Sequence, residues 1–206
     1  MNGIGSRKRI LDEVSDRIIA ITSRRTMLAA FLGLMVTGFL VNGRPFGIAE
    51  LNAITGGIGV LDMAVLYTPD QAYALLAGMG EAGRAFYLTH ITPLDMFVPF
   101  FYALFLSTAI SWVLHKWLPA ESRWHRLNLV PVAGGLCDYL ENFGIIAMIL
   151  AWPAPLPDIA SFTMAATLLK FAFSALAGLI LIGAFAGWVM NGLRTCSGKR
   201  TPPTRG

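Results

Sequence analysis

The sequence predicts an all-α fold, a polytopic bundle of four transmembrane helices with short amphipathic helices in its N-terminal segment and in a long outer loop. Three observations predict it. Of the 206 residues, 55% are hydrophobic and only 14% charged, whereas soluble domains carry about a quarter charged residues; the mean hydropathy is +0.62. Four apolar stretches each approach or exceed the roughly twenty residues that a helix needs to cross a bilayer. The basic residues flank these stretches and form no groove or stripe. The net charge of +4 is therefore an insertion signal and not a nucleic-acid footprint.

Residues 1–25 form a basic segment with Arg7, Lys8, Arg9, Arg17, Arg24 and Arg25. Leu11, Val14, Ile18 and Ile21 recur at helical spacing, which predicts an amphipathic helix lying on the cytoplasmic membrane surface. The transmembrane domain covers 26–190, and its first span runs over about 27–42. A cleaved signal peptide is the competing reading, but Asn42-Gly43-Arg44-Pro45 follows instead of a small-x-small cleavage site, which favours a retained helix.

Residues 43–93 form the outer loop. Leu51 to Tyr67 is apolar enough to suggest a fifth span, but Gly56, Gly57, Gly59 and Asp62 argue for a loop. Thr68-Pro69-Asp70-Gln71 has the residues of a capped helix start, with Thr68 at the N-cap, Pro69 at N1 and Gln71 at the capping-box position. This helix should end at Gly78-Met79-Gly80, and another from about Glu81 leads into the second span, 94–114, where Pro99 predicts a kink. The third span is 129–151. The Pro-rich turn Trp152–Pro157 joins it to the fourth, 162–190, which is long enough to tilt. A tail, 191–206, is expected to be cytoplasmic and without structure. No internal repeat is visible.

Basic residues set the orientation. Six Lys/Arg precede the first span, Lys116, Arg123 and Arg126 lie between the second and third, and Arg194, Lys199, Arg200 and Arg205 follow the last. The outer loop has Arg44 and Arg84 alone. The positive-inside rule then places both termini in the cytoplasm of a multi-pass protein of the cell membrane, with a bacterial inner membrane as the expected location. Trp112, Trp117, Trp124 and Trp188 fall at the inner ends of spans and Trp152 at an outer end, where an aromatic belt should lie.

Ionisable residues inside the spans are the candidate functional groups, because charge in hydrocarbon is costly. Asp138, Glu141 and Asn142 project from one side of the third span together with Gly134 and Gly135, while Leu136, Leu140, Phe143 and Ala147 lie opposite. Gly134 and Gly135 would allow another helix to approach closely. In the fourth span Lys170 shares a face with Thr163, Ala166, Thr167, Ser174 and Ala177. In an antiparallel hairpin Lys170 lies about 12 Å, and Glu141 about 16 Å, below the outer ends of their helices, so the two should pair. The second span adds Asp95 and Tyr102, with Arg84, Tyr87 and His90 expected just above them in one outer-half cluster. Two acids in the third span against one lysine leave a surplus carboxylate, expected to hold a proton or to need a donor such as Tyr102 or Asn142. The same residues also fit a purely structural role, as polar glue between helices.

The ordered set Gly83-Arg84 with Tyr87, Leu94-Asp95 with Pro99 and Tyr102, Asp138-x-x-Glu141-Asn142, then Lys170, resembles a loosely defined group of uncharacterised four-helix bacterial membrane proteins. The resemblance covers about Asp62 to Lys170. It implies four spans and a long outer loop after the first, and it implies no activity.

The three histidines, His90, His115 and His125, are scattered, so no metal site is expected, and no cofactor either. No CxxC, GxSxG, Walker A or HExxH motif occurs; Cys137 reads as a small hydrophobe in a span and Cys196 as a tail thiol. The leading expectation is a non-enzymatic membrane protein. Its polar cluster would bind a small ligand or lipid headgroup, or support assembly as a homo-oligomer or with a membrane-protein partner. The alternatives are a membrane enzyme acting on a lipid or isoprenoid with Asp138 or Glu141 as acid/base, and an oligomeric proton-coupled transporter.

Overall fold

The computed structural model describes residues 3–198, with side chains from Ile10 to Thr195. Secondary structure among the described residues is helical throughout. Four helical stretches are long and apolar enough to cross a membrane: Arg24–Asn42, Gly80–Leu114, Arg123–Leu150 and Pro157–Thr195. All-α architecture and four candidate spans follow the sequence expectation.

Helix α1 spans Gly3–Ile21 and α2 spans Arg24–Asn42. Ser23 separates them by capping α2, its Oγ accepting from the Thr26 backbone N–H at 3.1 Å. In α2 only Ala30, Thr37 and Val41 are buried, while Leu28, Leu32, Val36 and Phe39 lie exposed. A helix that is apolar all round and covered on one narrow side is at home in lipid.

Residues 43–79 hold no helix long and apolar enough to cross a membrane. They fold into a cap at one end of the bundle, built from α3 (Ile48–Thr55), a tight turn at Leu61–Met63 and α4 (Pro69–Gly78). The capping box forms as expected: Thr68 Oγ1 accepts from the Gln71 N–H at 3.2 Å, and Gln71 Oε1 accepts from the Thr68 N–H at 2.8 Å. The positive φ of Gly80, +64°, turns the chain out of α4 and into α5 (Gly80–Phe86). The larger of the two hydrophobic cores lies here. Leu51, Leu61, Ala72 and Leu76 of the cap pack with Ile145 and Met148 of the third span and Ala160 of the fourth.

The second crossing is segmented. After α5 come a widened π turn (Tyr87–Ile91), the short α6 (Thr92–Asp95), a break at Met96 and α7 (Phe97–Leu114). Pro93 and Pro99 offer no N–H to the carbonyls of Thr89 and Asp95, so each irregularity falls within a turn before its proline. The kink expected at Pro99 therefore lies at Met96.

A tight helical turn (Arg123–Leu129) leads into α8 (Val130–Leu150), and α9 follows the Pro-rich turn. Helix α9, Pro157–Gly198, has 42 residues, about 63 Å at 1.5 Å per residue. It continues past the expected end at Met190, so the first part of the anticipated unstructured tail is helical. Between Asn191 and Ser197 only Gly192 opposes helix, and one glycine costs about 1 kcal/mol, too little to stop a helix already propagating. Residues 199–206 of that tail lie outside the described residues.

Helices α8 and α9 form the most extensive packing pair, α7 lies against both, and α2 packs on α7. Helix α1 packs on α7 and on the 123–129 turn, at the end opposite the cap. Asn128 Nδ2 donates to the Ser15 carbonyl at 3.3 Å, and Arg126 pairs with Asp12. Ile10, Leu11, Val14 and Ile21 of α1 remain exposed, as an amphipathic helix at a membrane surface requires.

Candidate functional site: a polar cleft beneath the cap

The site is built where α8 and α9 meet. Three glycines allow the close approach. A Cβ on Gly144 would overlap the Thr163 side chain, and one on Gly134 would come within 3.0 Å of Tyr102 Oη and 3.2 Å of Phe173 Cβ. A Cβ on Gly135 would lie 3.1 Å from the Pro99 carbonyl oxygen, so α7 uses the same gap. Leu136, Leu140 and Phe143 point away, exposed.

Glu141 is fully buried and forms an ion pair with Lys170 Nζ, as the hairpin arithmetic predicts. Thr167 Oγ1 donates to its other oxygen, Oε1, at 2.5 Å. Lys170 also reaches Asp138 Oδ1 at 3.4 Å. The two acids differ in setting: the Glu141 side chain is 0% exposed, that of Asp138 16%. Glu141 is thus locked inside the helix pair, whereas Asp138 looks into open space. Asn142 Nδ2 donates to Asp95 Oδ2 at 2.8 Å, tying α8 to α6.

Asp62 joins this group from the cap. It is buried, and Tyr87 Oη donates to its Oδ1 at 2.8 Å. A lone acid between Val60-Leu61 and Met63-Ala64-Val65-Leu66 is the same signal that marks Asp138, but in the sequence it reads as evidence against a fifth span. Residues 51–67 form the end of α3 and a turn, with no helix long enough to cross a membrane, and Asp62 sits at the site. Tyr67 was also invisible in the sequence. Only 8% exposed, it turns its hydroxyl towards Thr167, Glu141, Lys170 and Asp62 without reaching hydrogen-bond geometry with any of them. Burial pushes its phenol up to about 12, so it stays neutral and able to donate.

Two expected members are elsewhere. Arg84 donates to the Leu76 carbonyl at 2.8 Å and lies over the Trp152 ring at 4.3 Å, staying within the cap. The His90 ring stacks on Phe86 at 4.5 Å, and its Nδ1 pairs with Thr89 Oγ1 at 2.8 Å. Contacts within the cap hold Arg84, and contacts with its own turn hold His90. Tyr87, Asp95 and Tyr102 do belong to the site.

A cavity of about 280 Å³ gathers Asp62, Asp95, Tyr102, Asp138, Lys170 and Ser174. Apart from Asn42, its other walls are apolar: Leu34, Gly38 and Val41 of α2, Ile48 and Met63 of the cap, Val98 of α7 and Phe171 of α9. Helices α2 and α9 both pack on α7 and not face to face with each other, so the cavity occupies a cleft between them. Carboxylates and an amine on one side and hydrocarbon on the other can hold an amphipathic molecule with its polar end inward. No group of three or more His, Cys, Asp or Glu among the described residues has metal-binding geometry.

Comparison with known proteins adds no relative: no protein-family model matches the chain, and no curated protein or solved structure is similar to it.

Proposed function

We propose that this chain is a membrane-embedded binding protein. It takes the polar head of a lipid or small ligand into the cleft between α2 and α9, and the apolar remainder lies against α2 and Phe171. The cavity carries this reading, because a cluster serving only as helix glue needs no space beside it. Glu141, Lys170 and Thr167 fit the glue role. Asp62, Asp95 and Asp138 line the space instead, and buried polar residues facing a cavity in a membrane protein are candidates for function. The reading includes the orientation argued from the basic residues: chain ends in the cytoplasm, cap and cleft on the opposite side of the membrane. The packing of α1 beside the 123–129 turn supports it, since both basic regions then share one end.

Gly38 supplies the test. It lines the cavity, and a Cβ built on it meets no atom within 4 Å, so a large side chain there enters the cleft without pushing on the fold. Protein purified in mild detergent should retain a bound lipid or small molecule in native mass spectrometry. Gly38→Phe should lose it while keeping the same unfolding temperature. Equal retention by both proteins, or none by either, contradicts the proposal.

A further inference from the structure

Resting on that reading, we infer that the polar head held in the cleft is a primary ammonium group. Three carboxylates from three elements line the cavity: Asp62 from the cap, Asp95 from α6 and Asp138 from α8. Each has one oxygen held by the protein. Tyr87 donates to Asp62 Oδ1, Asn142 to Asp95 Oδ2 and Lys170 to Asp138 Oδ1. The second oxygen of each accepts no hydrogen bond from the described residues, and all three side chains line the one cavity.

The charge count points the same way. Among the described residues Lys170 is the one cation lining the cavity, and its single charge is shared between Glu141, which sits behind it at 0% exposure, and Asp138. Four carboxylates thus share one cation, and among the described residues Asp62 and Asp95 have no ion-pair partner of their own. A head that carries positive charge and only donors complements them. An alkylammonium has three N–H donors and no acceptor, one for each idle carboxylate oxygen. A phosphate or carboxylate head would meet like charge. A hydroxyl brings one donor and no charge, and a trimethylammonium brings charge without donors.

A second observation is independent of the acids. Tyr102 lines the same cavity, and its buried Oη has no hydrogen-bond partner among the described residues; the Tyr67 hydroxyl, on a side chain more than nine-tenths buried, is likewise unpartnered close to Glu141, Lys170 and Asp62. Buried polar atoms are nearly always satisfied in a folded protein. One phenol left idle at this space, with a second beside the same acids, marks it as built to receive a polar group.

The ammonium could belong to an aminolipid headgroup or to a soluble amine. The experiment uses the full chain, delipidated in detergent and titrated in native mass spectrometry with dioleoyl phosphatidylethanolamine, phosphatidylcholine and phosphatidylglycerol. Free ethanolamine serves as a soluble competitor. Phosphatidylethanolamine should bind at least about tenfold more tightly than either other lipid, a difference of about 1.4 kcal/mol. Asp95→Asn and, separately, Asp62→Asn should erase that preference, lowering phosphatidylethanolamine binding to the level of phosphatidylcholine. Displacement by free ethanolamine would assign the site to a soluble amine, and resistance to it would assign an aminolipid; either supports the ammonium. Binding with equal affinity for all three headgroups overturns the ammonium but leaves the cleft intact as a lipid site. Absence of stoichiometric binding by any lipid and by ethanolamine overturns the cleft itself.

Discussion

Lys170 has two acidic partners on α8, and their surroundings give them different tasks. Glu141 has no exposure and is held by Thr167 as well as by the lysine. Removing the lysine charge would strand a buried carboxylate. Lys170→Met should therefore destabilise the folded bundle by ~3–5 kcal/mol, the cost of breaking a buried pair from one side. The double variant Lys170→Met/Glu141→Gln should recover most of that loss, because the fully buried carboxylate is gone and Asp138, at 16% exposure, borders the open cavity. Unfolding temperatures in detergent check both, and a double variant no better than the single would remove Glu141 from the clamp. The Glu141–Lys170 pair was legible in the sequence because both residues lie in regular helices, where 1.5 Å per residue fixes their depth. Asp62 and Tyr67 were not, because they sit in a cap whose path depends on tertiary packing that local pattern does not encode. Arg84 and His90 differ from the expectation for a related reason: partners in the cap and in the π turn hold them, and helical spacing does not reveal those partners.

At the scale of elements, the α8–α9 hairpin is the frame on which the site depends, and Gly144 is its closest point. A methyl there overlaps Thr163, whose neighbour on the same face, Thr167, donates to Glu141. Gly144→Ala should cost about 1–3 kcal/mol by forcing the helices apart, whereas Gly178→Ala, with open space around its Cβ, should be neutral or slightly stabilising. Thermal unfolding of the two variants side by side reads the difference; equal effects would mean that α8 and α9 do not meet at Gly144. The glycines in the third span were readable as a packing surface. The end of α9 was not, since nothing between Met190 and Gly198 marks a stop strongly enough to separate helix from tail. The segmented second crossing was readable in part: Pro99 announced an irregularity, but each break falls within the turn before a proline, where the carbonyl loses its partner.

For the whole molecule, composition and basic-residue placement suffice for the four-span reading, and the structure adds what they lack: a cap folded over one end and a cleft beneath it. The cap holds the larger hydrophobic core, so the outer loop is a folded lid on the bundle and not a passive connection. A reporter fused after Gly206 should read as cytoplasmic, and one inserted at Gly57, an exposed glycine of the cap, should read on the far side. Agreement of the two reporters on one side would break the topology. The most direct test of the central claim is photo-crosslinking with a phospholipid that carries a diazirine in its acyl chain, in nanodiscs, with labelled residues mapped by mass spectrometry. Occupancy of the cleft predicts labelling concentrated on Leu34, Gly38 and Phe171, and lost in Gly38→Phe. Labelling no denser there than on the lipid-facing residues Leu136, Leu140 and Phe143 would contradict it.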